Sequence, residues 1–322
     1  MIAVKAQGLG KKFDQTSAIQ NLSLEIEQGT LAGLIGPDGA GKSTLLRLLV
    51  GLLRPTQGRI EVAGFDVAKK PFEVKARIGY MPQHFSLYGD LTVAENMKFF
   101  ADFYGVPEKR YRQRKNDLLK FSALGPFEDR LARNLSGGMQ KKLALACNLF
   151  HTPEILLLDE PTTGVDPVSR QELWQLLKEL HEQGVTILMT TPYMDEAARC
   201  RHVGFIYEGR ILAYDSPQNL ASAMKDEIAE LRSPLAPSAK ALKGLPGLKS
   251  VRPFGDTIHI VFEASGPGLE KIRQRLEGEG IAVQSLKKIP PSFEDVFLAL
   301  AQRQAGQNSN NRKENPSSPP FP

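Results

Sequence analysis

Gly36-Pro37-Asp38-Gly39-Ala40-Gly41-Lys42-Ser43 fits the pattern G-x-x-x-x-G-K-[ST] at every fixed position. Before it stands Thr30-Leu31-Ala32-Gly33-Leu34-Ile35, a short apolar run suited to a buried parallel strand. After it comes Thr44 to Leu53, rich in leucine at helical spacing. Strand, glycine-rich loop and helix in this order point to phosphate binding. The glycines let backbone N–H groups turn toward phosphate oxygens, and the helix N-terminus adds its positive end. Lys42 is long enough to reach β- and γ-phosphates, and the Ser43 hydroxyl suits Mg²⁺.

The chain has 322 residues, 41% of them hydrophobic, enough for one large domain or two ordinary ones. No stretch reaches the roughly 18 uncharged apolar residues of a spanning helix. The start, Met1-Ile2-Ala3-Val4-Lys5, lacks a secretory profile. Two cysteines, Cys147 and Cys200, form no disulfide framework and fit core positions in a reduced compartment. The net charge of +5 comes without a basic–aromatic stripe, so no nucleic acid partner is expected.

Strand-like and helix-like segments alternate through residue 222, which predicts an α/β core. Asn21 to Glu27 alternates as a half-buried strand. Residues 90–150 differ: Leu91 to Tyr104 and Tyr111 to Leu124 carry helical patterns with little strand signal, which predicts a helical insertion. Ile155-Leu156-Leu157-Leu158 and Val185 to Met189 read as buried strands, with a helix from Pro167 to Gln183 between them. Residues 226–302 read as β-α-β-β-α-β followed by a helix, a ferredoxin-like module. Residues 306–322 are Asn, Ser, Pro and charge, and are expected to be disordered.

Two further segments carry chemistry. Ile155-Leu156-Leu157-Leu158-Asp159-Glu160 ends an apolar strand in two acids, at the sheet edge where ligands bind. Asp159 can hold Mg²⁺ through water, and Glu160 can act as general base on an attacking water. Asn134-Leu135-Ser136-Gly137-Gly138-Met139-Gln140 precedes the helical run Lys141 to Phe150, and makes a second helix N-terminus able to receive a phosphate.

Together these elements make residues 1–220 resemble the ATP-binding subunit of an ABC transporter, with LSGG shortly before LLLDEP as its most specific feature. The resemblance implies an α/β P-loop NTPase cassette with a helical subdomain, followed by a small α+β, ferredoxin-like domain. It implies that ATP and Mg²⁺ are bound. Gly36, Pro37, Asp38, Gly39, Ala40, Gly41, Lys42, Ser43 and Thr44 match its phosphate loop. Phe13 matches the aromatic that stacks on adenine, and Ser136, Gly137, Gly138 and Asp166 match the surface offered to the nucleotide of a partner cassette. Glu160 and Gln83 match its catalytic residues, and Ser43, Gln83 and Asp159 its Mg²⁺ ligands.

Two positions depart from the family pattern. Asp38 stands where Asn is usual, and an extra carboxylate there is expected to weaken triphosphate binding. Pro192 stands where relatives carry a histidine against the γ-phosphate, and proline can supply neither an ionisable group nor an N–H. None of the five histidines lies in this loop. An asymmetric pair with a nonidentical second cassette is therefore expected, the alternative being a homodimer in which Glu160 suffices.

The segment Pro290-Pro291-Ser292-Phe293-Glu294-Asp295-Val296-Phe297-Leu298 resembles the ending of cassettes that serve ABC-2 type exporters. The implied function is ATP hydrolysis at the cytoplasmic face of the inner membrane, peripheral to a separate ABC-2 type permease. A soluble ABC-family ATPase in translation or DNA repair, and a non-hydrolysing regulatory cassette, remain as alternatives.

Overall fold

The computed structural model describes residues 1–84, 87–234, 241–242 and 244–314, with side chains described to residue 304. The chain divides into two compact units, Met1–Ser216 and Pro217–Pro322. The division falls a few residues before the boundary expected near 222, because a short helix at 217–222 belongs to the second unit.

In chain order, the first unit contains β1 (Ile2–Phe13), β2 (Thr16–Glu27), β3 (Leu31–Ile35), α1 (Lys42–Leu49), β4 (Gln57–Val62) and β5 (Phe65–Asp66). There follow α2 (Pro71–Lys75), β6 (Ile78–Met81), α3 (Val93–Phe103), α4 (Glu108–Phe121), α5 (Gly137–Cys147) and β7 (Ile155–Asp159). The unit closes with α6 (Pro167–Glu182), β8 (Thr186–Thr191), α7 (Met194–Ala197), β9 (His202–Tyr207) and β10 (Arg210–Asp215).

Two sheets form. One is antiparallel, in the order β2-β1-β4-β5; the other has six strands in the order β10-β9-β3-β8-β7-β6, parallel except where β10 pairs with β9. Strands β3, β7 and β8 are buried along their whole length, as central parallel strands must be. Helix α1 carries Leu45, Leu46, Leu48 and Leu49, all inaccessible to solvent. The helix is amphipathic, with Arg47 left exposed on the side away from these leucines. Its leucines share one core with Val4, Leu24 and Ile60 of the first sheet and Leu34, Leu157 and Leu188 of the second.

Helices α3, α4 and α5 fill residues 93–147 without a strand. The first begins at Val93 because Thr92 and Glu95 form a reciprocal capping box.

The second unit contains α8 (Pro217–Ser222), β11 (Asp226–Arg232), β12 (Leu248–Phe254), β13 (Thr257–Glu263), α9 (Gly268–Gly278), β14 (Ser285–Ile289) and α10 (Phe293–Glu314). Its sheet runs β12-β13-β11-β14, antiparallel throughout. Ile260, Phe262, Ile272 and Leu276 anchor its core. Of the two helices expected between the strands, only α9 stands among the described residues; residues 235–240 and 243, between β11 and β12, lie outside them.

The start of α10 explains the segment around Pro291. Ser292 Oγ accepts from Asp295 N at 3.2 Å and donates to Asp295 Oδ2 at 2.6 Å, and His259 Nδ1 lies 3.1 Å from both Asp295 oxygens. The tail expected to be disordered from Gly306 instead continues α10 to Glu314. Once a helix is nucleated, each further residue adds a hydrogen bond at little cost. Residues 315–322 lie outside the described set.

Candidate nucleotide site

The loop between β3 and α1 takes the shape that its glycines permit. Gly41 has φ +103°, and a Cβ there would lie 2.7 Å from the Ala18 carbonyl oxygen of β2. Only glycine fits this position without strain. Lys42 is buried and curls back over the loop, donating from Nζ to the carbonyls of Gly36 at 2.8 Å and Pro37 at 3.1 Å. Asp38 is fully exposed at the open rim of the cradle, with its carboxylate 3.9 Å from Lys42 Nζ.

Strand β7 delivers the two acids to the same edge. Ser43 Oγ donates to Asp159 Oδ1 at 3.0 Å, and Thr190 Oγ1 donates to the same oxygen at 2.7 Å. Asp159 Oδ2 is buried and has no hydrogen-bond partner among the described residues. Buried acceptors rarely stay unpaired, and a carboxylate oxygen beside a serine hydroxyl is the donor chemistry of a Mg²⁺ site. The residues present therefore fit the ion.

Glu160 sits in the left-handed region, with φ +48°. That backbone conformation is costly for a residue with a Cβ and collects at functional positions. It is held by Thr190, whose Oγ1 and carbonyl accept from Glu160 N at 2.9 and 3.2 Å. The side chain is 5% exposed. Its Oε2 accepts from Gln83 Nε2 at 2.9 Å and Thr163 Oγ1 at 3.3 Å, while Oε1 lies 3.5 Å from Lys42 Nζ. A carboxylate fixed by three donors in a nearly dry site has one orientation available, as a positioned base requires.

Asp38, Gly39, Ala40, Gly41, Lys42, Ser43, Thr44, Gln83 and Glu160, with Ala18, line one cavity of about 320 Å³. Gly36 and Pro37 meet it through their carbonyls on Lys42, and Asp159 through Ser43. Ser136, Gly137, Gly138 and Asp166 are not part of it. Ser136 caps α5 by accepting from Met139 N at 3.3 Å, and Asp166 caps α6 by accepting from Val168 N and Ser169 N. Those amides, Ser169's first, hold the Asp166 carboxyl below its usual range. The two helix starts touch each other, and a Cβ on Gly138 would lie 2.3 Å from Ser169 Cβ. Phe13 is 43% exposed where β1 turns into β2, with Lys11 Nζ 4.9 Å from its ring centroid, and does not line the cavity.

Three contributors escaped the sequence reading. Thr190 ties both acids together, Thr163 steadies Glu160, and Lys141 reaches the backbone of Gln83. The signal for the first was present: two threonines, Thr190 and Thr191, follow the apolar run Ile187–Met189 at the end of a strand and are wholly buried. Pro192 follows them, exposed. Its loop is anchored by Glu196, which is also wholly buried and accepts from Thr162 Oγ1 at 2.8 Å and Thr191 Oγ1 at 2.6 Å.

The family model described as ABC transporter matches residues 19–163. The chain is 41% identical over 302 residues to the probable multidrug ABC transporter ATP-binding protein YbhF of Escherichia coli (strain K12). That match covers 92% of this chain and 52% of the relative, so the chain spans about half of that protein's length. It is 35% identical over 304 residues to the daunorubicin resistance ATP-binding protein DrrA2 of Streptomyces coeruleorubidus, covering 92% and 94%. Among solved structures, a dimeric post-hydrolysis state of the ATP-binding cassette MJ0796 bound to ADP and Pi is similar. Its TM-score is 0.61 at 28% identity, over 66% of this chain and 98% of that one.

Proposed function

The chain belongs to the ABC transporter ATP-binding family, and we propose that it hydrolyses ATP to power export through a separate permease of the ABC-2 type. The observation that carries this reading is the single cavity in which the phosphate loop, Gln83 and the buried Glu160 converge. There the loop amides and Lys42 would bind and orient the β- and γ-phosphates. Glu160 would take the proton from a water aimed at the γ-phosphorus, and Gln83 would fix that water. Mg²⁺, held by Ser43 and Asp159 with Gln83 nearby, would neutralise charge on the phosphates when bound.

The N-termini of α5 and α6 lie outside this cavity, which supports their service to the nucleotide of a second cassette. Pro192 supports a nonidentical partner, since this chain's own site has no imidazole in that loop. Native mass measurement tests the pairing, and a strict two-copy assembly with fast turnover would refute asymmetry. The helical insertion and Gln83 would carry the permease dock, with Phe99 and Phe103 as exposed apolar contacts. Among the described residues no helix is long and apolar enough to cross a membrane. The second unit is read as a ferredoxin-like accessory module, supported by its antiparallel strand order.

The decisive experiment compares Glu160→Gln with wild type in the permease-containing assembly. Turnover should fall by at least roughly 100-fold, the usual worth of a general base, while Mg-ATP still binds. Unchanged turnover would remove Glu160 from that role. Failure of the wild-type protein to bind Mg-ATP would sink the whole reading.

A further inference from the structure

Beside the nucleotide cavity lies a second one of about 220 Å³, lined by Gln83, Gly137, Lys141, Thr163 and Gly164 among others. Gln83 lines both. The polar groups form a relay across the wall between them. Lys141, on the second turn of α5, donates from Nζ to the Gln83 carbonyl at 2.9 Å. Gln83 Nε2 in turn donates to Glu160 Oε2 at 2.9 Å. Lys141 is half-buried, and among the described residues its ammonium forms no ion pair within contact distance; its hydrogen bond goes to this carbonyl, and the Asp159 and Glu160 carboxylates act on it only through space. Its neighbour Lys142 is buried and pairs instead with the Glu172 carboxylate of α6 at 2.8 Å.

We propose that Lys141 is a positioning residue for hydrolysis, which holds the backbone of Gln83 so that its amide stays on Glu160 and so couples the helix behind Ser136-Gly137-Gly138 to the base. The inference rests on the proposed ATPase function but names a residue outside the nucleotide cavity. The reasoning is geometric. Residues 82–84 lie between β6 and the helical insertion without regular structure, and phosphate-loop contacts do not reach the Gln83 carbonyl. A charge-assisted hydrogen bond from a half-buried ammonium is the strongest tether available there. Because Lys141 makes no hydrogen bond to the phosphate loop among the described residues, its loss should act on the chemical step rather than on ground-state nucleotide binding, with Lys141→Arg keeping the charge that Asp159 and Glu160 feel.

The test uses the full chain in its turnover-competent assembly. Lys141→Met should lower kcat about tenfold, the worth of one hydrogen bond to a charged group, with KM for ATP nearly unchanged. Lys141→Arg, which keeps the donor and charge, should restore most of the rate. In the Gln83→Ala background Lys141→Met should cost little more, since the amide it positions is gone. A wild-type kcat in Lys141→Met, a full multiplicative loss in the double variant, or a rise in KM alone would each overturn the proposal. Hydrogen exchange at the Gln83 and His84 amides in the nucleotide-free chain gives an activity-independent readout. It should quicken in Lys141→Met and Lys141→Gln but not in Lys141→Arg, and unchanged exchange would overturn the proposal even if the wild type hydrolysed nothing. Wild-type inactivity toward Mg-ATP would instead defeat the ATPase reading.

Discussion

Glu196→Ala should destabilise the first unit more than any surface substitution, and its magnitude can be worked from the contacts. Glu196 is wholly buried and gathers four elements of chain. Its Oε2 accepts from Thr162 after β7 and from Thr191 at the end of β8, while Oε1 lies 3.6 Å from Arg170 Nε of α6. Arg170 is 26% exposed and also stacks on Tyr193, with its guanidinium carbon 4.3 Å from the ring centroid. Truncation leaves two buried hydroxyls without their acceptor, at about 1–3 kcal/mol each, and removes one side of a mostly buried ion pair, at roughly 3–5 kcal/mol. The three groups share one carboxylate, so the terms overlap, and a loss of about 4 kcal/mol is expected. For a unit of this size that corresponds to a fall in Tm of roughly 8–16 °C by calorimetry. Glu196→Gln keeps an acceptor oxygen for the hydroxyls and gives up only the charge, so it should fall between wild type and Glu196→Ala. A melt of Glu196→Ala within about 2 °C of wild type, less than 1 kcal/mol here, would refute the claim that this carboxylate fixes the Pro192 loop.

Three further outcomes are expected. Gly138→Ala forces a Cβ to within 2.3 Å of Ser169 Cβ, and overpacking of this kind costs about 1–3 kcal/mol; Ser169→Gly in the same chain should recover most of the lost Tm. Burial pushes the Cys147 thiol far above the ordinary thiol range and, with Glu196 adding, pushes Cys200 up to about 12. Thiolate is the reactive form, so near neutral pH both should resist a disulfide reagent in the folded protein and react on unfolding; rapid labelling of the native chain would contradict their placement. Pro192→His should raise turnover about tenfold by adding one hydrogen bond to phosphate, and a rate equal to wild type would show that the loop does not approach the nucleotide.

The α/β core and the phosphate loop were legible in one dimension because each rests on local rules. Leu31–Ile35 and Ile155–Asp159 are apolar runs of strand length, and Gly41 occupies a loop position whose φ of +103° glycine alone adopts without strain. Acids at the end of an apolar strand announce themselves in the same way. Composition does not show α10 running past Gly306, because it weighs residues singly, whereas a helix already started extends at little cost.

Sequence by itself singled out the residues proposed to carry the chemistry, since the loop glycines, Lys42, Ser43, Asp159 and Glu160 are picked out by spacing and residue type within single elements. Only the tertiary structure decided what holds them in place. Thr190 reaches across from β8 to both acids, Lys141 from α5 to the Gln83 backbone, and Glu196 from α7 to two threonines. All of these bonds except Thr191 to Glu196 join segments distant in the chain, and a hydrogen bond depends on ångström distances that no pattern along the sequence encodes.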